Sequence, residues 1–162
     1  MESQEDNIDW YKMSTRTDVP ISYFDKNIDK LQWPLLITNP ILNEDFYERH
    51  IDKVNWVCLC LSSYLTMDFY ERHLDKVDWT SICMNEDIPE EFYERHLDKL
   101  CWNSICRNKS ISQEFYERHL DKLVFKSLFM NDNLPNSFFN KYYEMFHNDI
   151  ECCDAYIKMT SV

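Results

Sequence analysis

The 162-residue sequence contains no glycine. Average usage of roughly 7% would supply about eleven in a chain of this length. Without glycine there is no G-x-G-x-x-G turn and no Walker-type phosphate loop. The strained G-x-S-x-G elbow of the α/β hydrolases is excluded as well. Asn-Gly hairpins are missing, which argues against an all-β fold. Basic residues are also scarce, 17 against 29 acidic, for a formal net charge of −12. Such a chain repels polyphosphate, so nucleic acid is not an expected partner. The longest purely apolar run, Trp56 to Leu61, is far short of the ~18 residues that suggest a membrane span. Residues Met1 to Asp9 read MESQEDNID, which is no secretory signal. The seven cysteines are an odd number, and with no export signal they predict reduced thiols in the cytoplasm or nucleus.

What the chain does contain is a 23-residue repeat. Its five tryptophans, Trp10, Trp33, Trp56, Trp79 and Trp102, all fall on that spacing, and Phe125 takes the next slot. The segment FYERH recurs at Phe46–His50, Phe69–His73, Phe92–His96 and Phe115–His119, each followed by Ile or Leu and Asp-Lys. Tyr23–Lys30 and Phe138–Met145 are weaker copies. A fixed period of this length is the mark of a stacked array.

Each period carries two helical signals. Phe92, Tyr93, Leu97 and Leu100 lie on one broad face of a helix A of roughly ten residues. The slot of Pro89 is filled elsewhere by Asn43, Thr66, Ser112 and Pro135, all suited to a helix start. A shorter helix B begins near Trp102, with Asp9, Asn55 and Asp78 in the preceding slot as N-caps. It should end at the slot of Asn39, Asn85, Asn108 and Asn131. There asparagine would stand in for glycine as a left-handed terminator with positive φ.

These signals predict an all-α fold, an α-solenoid of about seven 23-residue repeats, each a longer helix A and a short helix B. No linker interrupts the phase, which predicts one repeat domain over 1–162. Within it, 1–22 is a divergent N-terminal cap, 23–137 holds five regular repeats and 138–162 is a divergent C-terminal cap. The expected repeat core comprises Trp33, Trp56, Trp79, Trp102, Phe69, Phe92, Phe115, Leu74, Leu97, Ile82 and Ile105. A single 23-residue unit cannot offset its own chain entropy, but stacked units can.

The candidate chemical groups repeat too. His50, His73, His96 and His119 stand in register. Successive copies about one helix layer apart, on the order of 10 Å, are too distant to share a zinc ion, so no metal and no cofactor is expected. Cys60, Cys83 and Cys106 interchange with Ile37 and Phe129, which marks them as small buried hydrophobes. Catalysis breaks symmetry and structure repeats it, so we expect no enzyme. The alternatives are a thiol hydrolase using Cys152 or Cys153 beside His147 in the divergent last period, or a self-assembling structural component. The Glu-Arg-His-x-Asp-Lys string makes poor ion pairs within one helix and good ones between neighbouring copies, so an inter-repeat ladder is expected. The slots after tryptophan vary. They give Thr80, Ser81, Asn103, Ser104 and Lys126 as expected partner contacts.

The cadence DWTSICMNEDIPEEFYERHLDKLCW, Asp78 to Trp102, resembles the short tandem α-helical repeat proteins encoded by giant DNA viruses of amoebae. The resemblance covers nearly the whole chain. It implies an α-solenoid interaction protein made inside a host cell, and it supplies no catalytic residues. Together with the acidic balance, the expected function is protein binding or scaffolding on an extended acidic surface. The expected partner is a protein with a basic surface, met by a monomer or weak homo-oligomer, with no membrane involved.

Overall fold

The computed structural model describes residues 8–146. Among these it is all-helical and contains no strand. In chain order the helices are α1 (Trp10–Ser14), α2 (Ile21–Asn27), α3 (Trp33–Leu36), α4 (Glu44–Arg49), α5 (Trp56–Leu59), α6 (Met67–Arg72), α7 (Trp79–Ile82), α8 (Glu90–Arg95), α9 (Trp102–Ile105), α10 (Gln113–Arg118), α11 (Phe125–Leu128), α12 (Asn136–Lys141) and α13 (Tyr143–Phe146). The odd members from α1 to α11 are the expected helix B and the even members the expected helix A. The chain divides into two compact units, Met1–Asp78 and Trp79–Val162. The first contains α1–α6 and the second α7–α13.

Local sequence sets the helix starts. Asn43, Thr66 and Ser112 accept a hydrogen bond from the backbone N–H three residues on, at 3.2, 3.3 and 3.2 Å. Asp9 and Asn55 do the same for α1 and α5, at 3.1 Å each. These bonds satisfy donors that the first helical turn leaves orphaned. Some starts also draw on the preceding repeat. Glu44 accepts from the Thr66 N–H at 2.6 Å, and Glu90 from the Ser112 N–H at 2.9 Å. Where Pro89 and Pro135 occupy the start and offer no N–H, the positions equivalent to Glu44 carry Met67 and Gln113 instead.

Helix A is shorter than the expected ten residues. α4, α6, α8 and α10 have six residues each and stop at a histidine. The backbone at His50, His73, His96 and His119 leaves the helical region, with φ between −116° and −128° and ψ between 23° and 32°. One further turn follows, closed by bonds from Lys53, Lys76, Lys99 and Lys122 back to the histidine carbonyls at 2.8–2.9 Å. Each ring lies 4.8–5.0 Å from the phenylalanine one turn earlier. The backbone turns where that ring is held.

The asparagine slot differs from expectation more sharply. No described residue has positive φ, so these asparagines do not terminate helices in the left-handed region. They are buried, with Asn39, Asn85, Asn108 and Asn131 between 2 and 5% exposed. Asn39 Nδ2 donates to the carbonyls of Ser14 and Arg16, both at 3.0 Å, in the preceding repeat. In the second unit Asn108 donates to the carbonyls of Cys83 and Asn85, at 3.0 and 3.2 Å. Asn131 donates to those of Cys106 and Asn108, at 3.2 and 3.0 Å. The side-chain oxygen accepts from the N–H two residues on, as in an Asx turn. The amide therefore cross-links consecutive helix B ends, a task glycine cannot perform.

Tyrosine completes the frame. Tyr47 and Tyr70 are buried and donate to the carbonyls of Leu36 and Leu59, both at 3.0 Å. Tyr93 and Tyr116 donate to those of Ile82 and Ile105, at 2.8 and 2.9 Å. Burial of a polar ring end is tolerated because its hydroxyl is paired. Phe69, Phe92, Phe115, Ile82 and Ile105 are fully buried, as expected. Trp33, Trp56, Trp79, Trp102, Leu74 and Leu97 are only half-buried. Three of the indoles lie stacked against the next helix A: Trp56 on Phe69, Trp79 on Phe92 and Trp102 on Phe115, with centroids 6.0–6.1 Å apart. Each of these indoles is half-buried, covering the core edge while staying partly in solvent.

Candidate functional site

Within each unit the charged string forms a ladder between repeats. In the first unit Arg49 and His50 both reach Asp25, at 3.1 and 2.8 Å. One repeat later Arg72 and His73 both reach Glu48, at 2.7 and 3.0 Å. In the second unit Arg118 and His119 reach Glu94, at 2.5 and 3.1 Å, and Lys141 reaches Glu117 at 3.0 Å. Two donors on one carboxylate change its acidity. The Arg72 bond draws Glu48 below the usual carboxylate range, against the opposing effect of burial, with His73 adding to the fall. Burial raises Asp25 and Glu94, but the histidine and arginine bonds outweigh it and leave both below the usual range. An ionised carboxylate only accepts, so each histidine presents an Nε2–H.

The histidine row is thus a structural position. Trp56 lies 5.8 Å from His73 and Trp102 lies 5.7 Å from His119, so these two rings sit between indole, phenylalanine and carboxylate. Among the described residues no group of three or more His, Cys, Asp and Glu could hold a metal ion. Cys60, Cys83 and Cys106 are fully buried. Burial pushes the Cys60 thiol up to about 12 and the Cys106 thiol up to about 11, which removes the thiolate a nucleophile needs. Cys101 is half-buried. Burial raises its pKa, but hydrogen bonds from Ser104 and Thr80 outweigh that and lower it. His147, Cys152 and Cys153, the alternative hydrolase group, lie outside the described residues. No described helix is long and apolar enough to cross a membrane.

The expected partner contacts divide. Thr80, Asn103 and Lys126 are exposed. Ser81 and Ser104 are buried, 6 and 4% exposed, and cannot meet a partner directly. They fall two residues after the tryptophan, and that position points inward on every helix B of the second unit, where Ser127 is 2% exposed as well. Variation in a slot signals tolerance, which small inward residues also show.

A concave site that the sequence did not single out lies in the second unit. A cleft of about 450 Å³ is lined by Glu86, Asp87, Ile88, Pro89, Glu90, Glu91, Glu94, Ser110 and Arg118. Two of its carboxylates have structural duties, Glu94 on Arg118 and Glu90 on the Ser112 N–H. Glu86, Asp87 and Glu91 are exposed at the cleft. The signal was present in the loop slots. Glu86-Asp87 stands where the neighbouring periods have Ser63-Tyr64 and Lys109-Ser110, so charge compared slot by slot would have found it. No model of a known family, no curated protein and no solved structure matches the chain.

Proposed function

We propose that this chain is a non-enzymatic protein–protein interaction or scaffolding module, an α-solenoid of about seven repeats that meets a basic partner on an acidic surface. The observation that carries this reading is the cleft with five carboxylates and one arginine, in a chain of net charge −12. Such a surface attracts a Lys- or Arg-rich segment and speeds its association at low salt. The solenoid part is supported by the same cross-repeat bonds recurring at separations of 22–25 residues in both units. The non-enzymatic part is supported by symmetry, since the described histidines and fully buried cysteines recur as packing positions. Free buried thiols suit a reducing compartment, and a host-cell setting is what the resemblance to giant-virus repeat proteins implies.

Titration calorimetry with a Lys/Arg-rich peptide tests this. The peptide should bind wild type with an affinity that falls as salt rises. Combined Glu86→Lys, Asp87→Lys and Glu91→Lys substitutions should weaken it by about tenfold or more. Binding that ignores both salt and the triple substitution rejects the reading.

A further inference from the structure

The acidic residues are not spread evenly. None of the 29 falls in the six helix B segments, 10–16, 33–39, 56–62, 79–85, 102–108 and 125–131. On every helix B, the first and fifth residues after the tryptophan slot are exposed. They lie four apart, about one helical turn, with the fifth just past the last helical residue, and as the exposed positions they make up the outward face of the segment. In the second unit that face carries Thr80, Met84, Asn103, Arg107, Lys126 and Met130. Met84 and Met130 are 53 and 62% exposed. The face is continuous from α9 to α11: Arg107 Nη2 lies 3.3 Å from Met130 Sδ, and the Ser127 hydroxyl bonds to Asn103. The carboxylates nearest in sequence flank the segments: half-buried Asp78 precedes Trp79, while Glu86 and Asp132 follow the asparagines, and Asp132 is paired with Lys109 at 2.7 Å.

We infer that this helix B face of the second unit docks an acidic peptide segment with apolar anchors. The interaction is distinct from the acidic-cleft reading and opposite to it in charge. Thioether side chains are flexible and polarisable and fit varied apolar partners. Arg107 and Lys126 complement carboxylates on the segment, and the face has no carboxylate of its own to repel them. A polyanion such as RNA fits less well. Two cations on a chain of net charge −12 give few phosphate contacts and little counterion release. A module with both surfaces would join a basic partner to an acidic one.

The test is selection from a random peptide library displayed on phage, using the full chain as bait. Enriched peptides are then measured by fluorescence polarisation at physiological salt. The expected winners combine Asp or Glu with apolar residues. Met130→Glu and Arg107→Glu should each weaken them about tenfold or more, as loss of an interface anchor does. Ser137→Glu, an exposed site on α12 with the same added charge as Met130→Glu, should change affinity by less than about twofold. Far-UV circular dichroism confirms that each variant keeps its helices. The inference is overturned by an empty selection, by winners that are basic, or by winners that bind both helix B variants at wild-type affinity. Displacement of the peptides by a single-stranded RNA oligomer at comparable concentration overturns it too. Lysine substitution of Glu86, Asp87 and Glu91 must leave these peptides bound, so this outcome is separable from that of the acidic cleft.

Discussion

Replacing Asn108 by glycine separates two explanations of a buried asparagine at a helix end. If asparagine served as a left-handed terminator, glycine would do as well or better, since it adopts positive φ without steric cost. The structure assigns Asn108 another task. Its amide donates to the carbonyls of Cys83 and Asn85, at 3.0 and 3.2 Å, from a site 2% exposed. Each such bond contributes roughly 0.5–1.5 kcal/mol net. Glycine removes both and adds about 0.5–1 kcal/mol of backbone entropy cost. The expected destabilisation is therefore about 1.5–4 kcal/mol. For a chain of this size it lowers the melting midpoint by about 5–12 °C. Urea unfolding followed by tryptophan fluorescence, with circular dichroism melts alongside, measures the loss. Asn108→Asp sharpens the result. At neutral pH its carboxylate would face two carbonyls, and it should recover stability as acid protonates it and restores a donor. A glycine variant within about 0.5 kcal/mol of wild type would show that the amide cross-link is dispensable and refute the reasoning.

Two further outcomes follow from the ladder and the thiols. Asp25, Glu48 and Glu94 are held below their usual carboxylate range. A group whose folded pKa is lowered binds its proton more readily when unfolded, so its contribution is complete above the ordinary range and disappears as pH falls through the lowered value. Melting midpoints should therefore drop between about pH 5 and pH 3, and Glu94→Gln should flatten that slope. An unchanged slope would remove the ladder from the acid response. In native protein, a thiol reagent at mildly alkaline pH should label Cys101 well before Cys60 and Cys106, because the first is half-buried with a lowered pKa and the others are buried with raised ones. Equal labelling rates, read by peptide mass mapping, would contradict the burial argument.

Much of the local architecture is legible in the sequence, and the reason is repetition. Asp9, Asn43, Asn55, Thr66 and Ser112 act at short range, on an N–H three residues away. Capping chemistry therefore reads directly from residue type. Core slots read less evenly, since Phe69, Phe92, Phe115, Ile82 and Ile105 are fully buried but the tryptophans, Leu74 and Leu97 are only half-buried. The acidic cleft was less legible, because Glu86 and Asp87 gain meaning only beside Glu91 and Arg118, which a loop and a helix bring together. The inward turn of Ser81 and Ser104 was illegible from variation alone, since a small residue reads the same on either face.

The amino-acid pattern by itself determined the period, the alternation of two helices, their starts and the burial of Phe, Tyr and Cys slots. These depend on spacing and on capping groups close in the chain. The absence of glycine belongs here as well, because no described residue adopts the left-handed backbone that would require it. The repeat predicted a ladder between copies, but tertiary structure alone decided which distant partner each polar slot meets. Asn108 bonds to Cys83, His119 to Glu94 and Ser112 to Glu90, partners 22 to 25 residues earlier. Such a bond exists only after one repeat has packed on the one before it. Local propensity contains no term for it, so asparagine read as a turn former proves to be a cross-link, and helix A breaks at the histidine whose ring that packing holds.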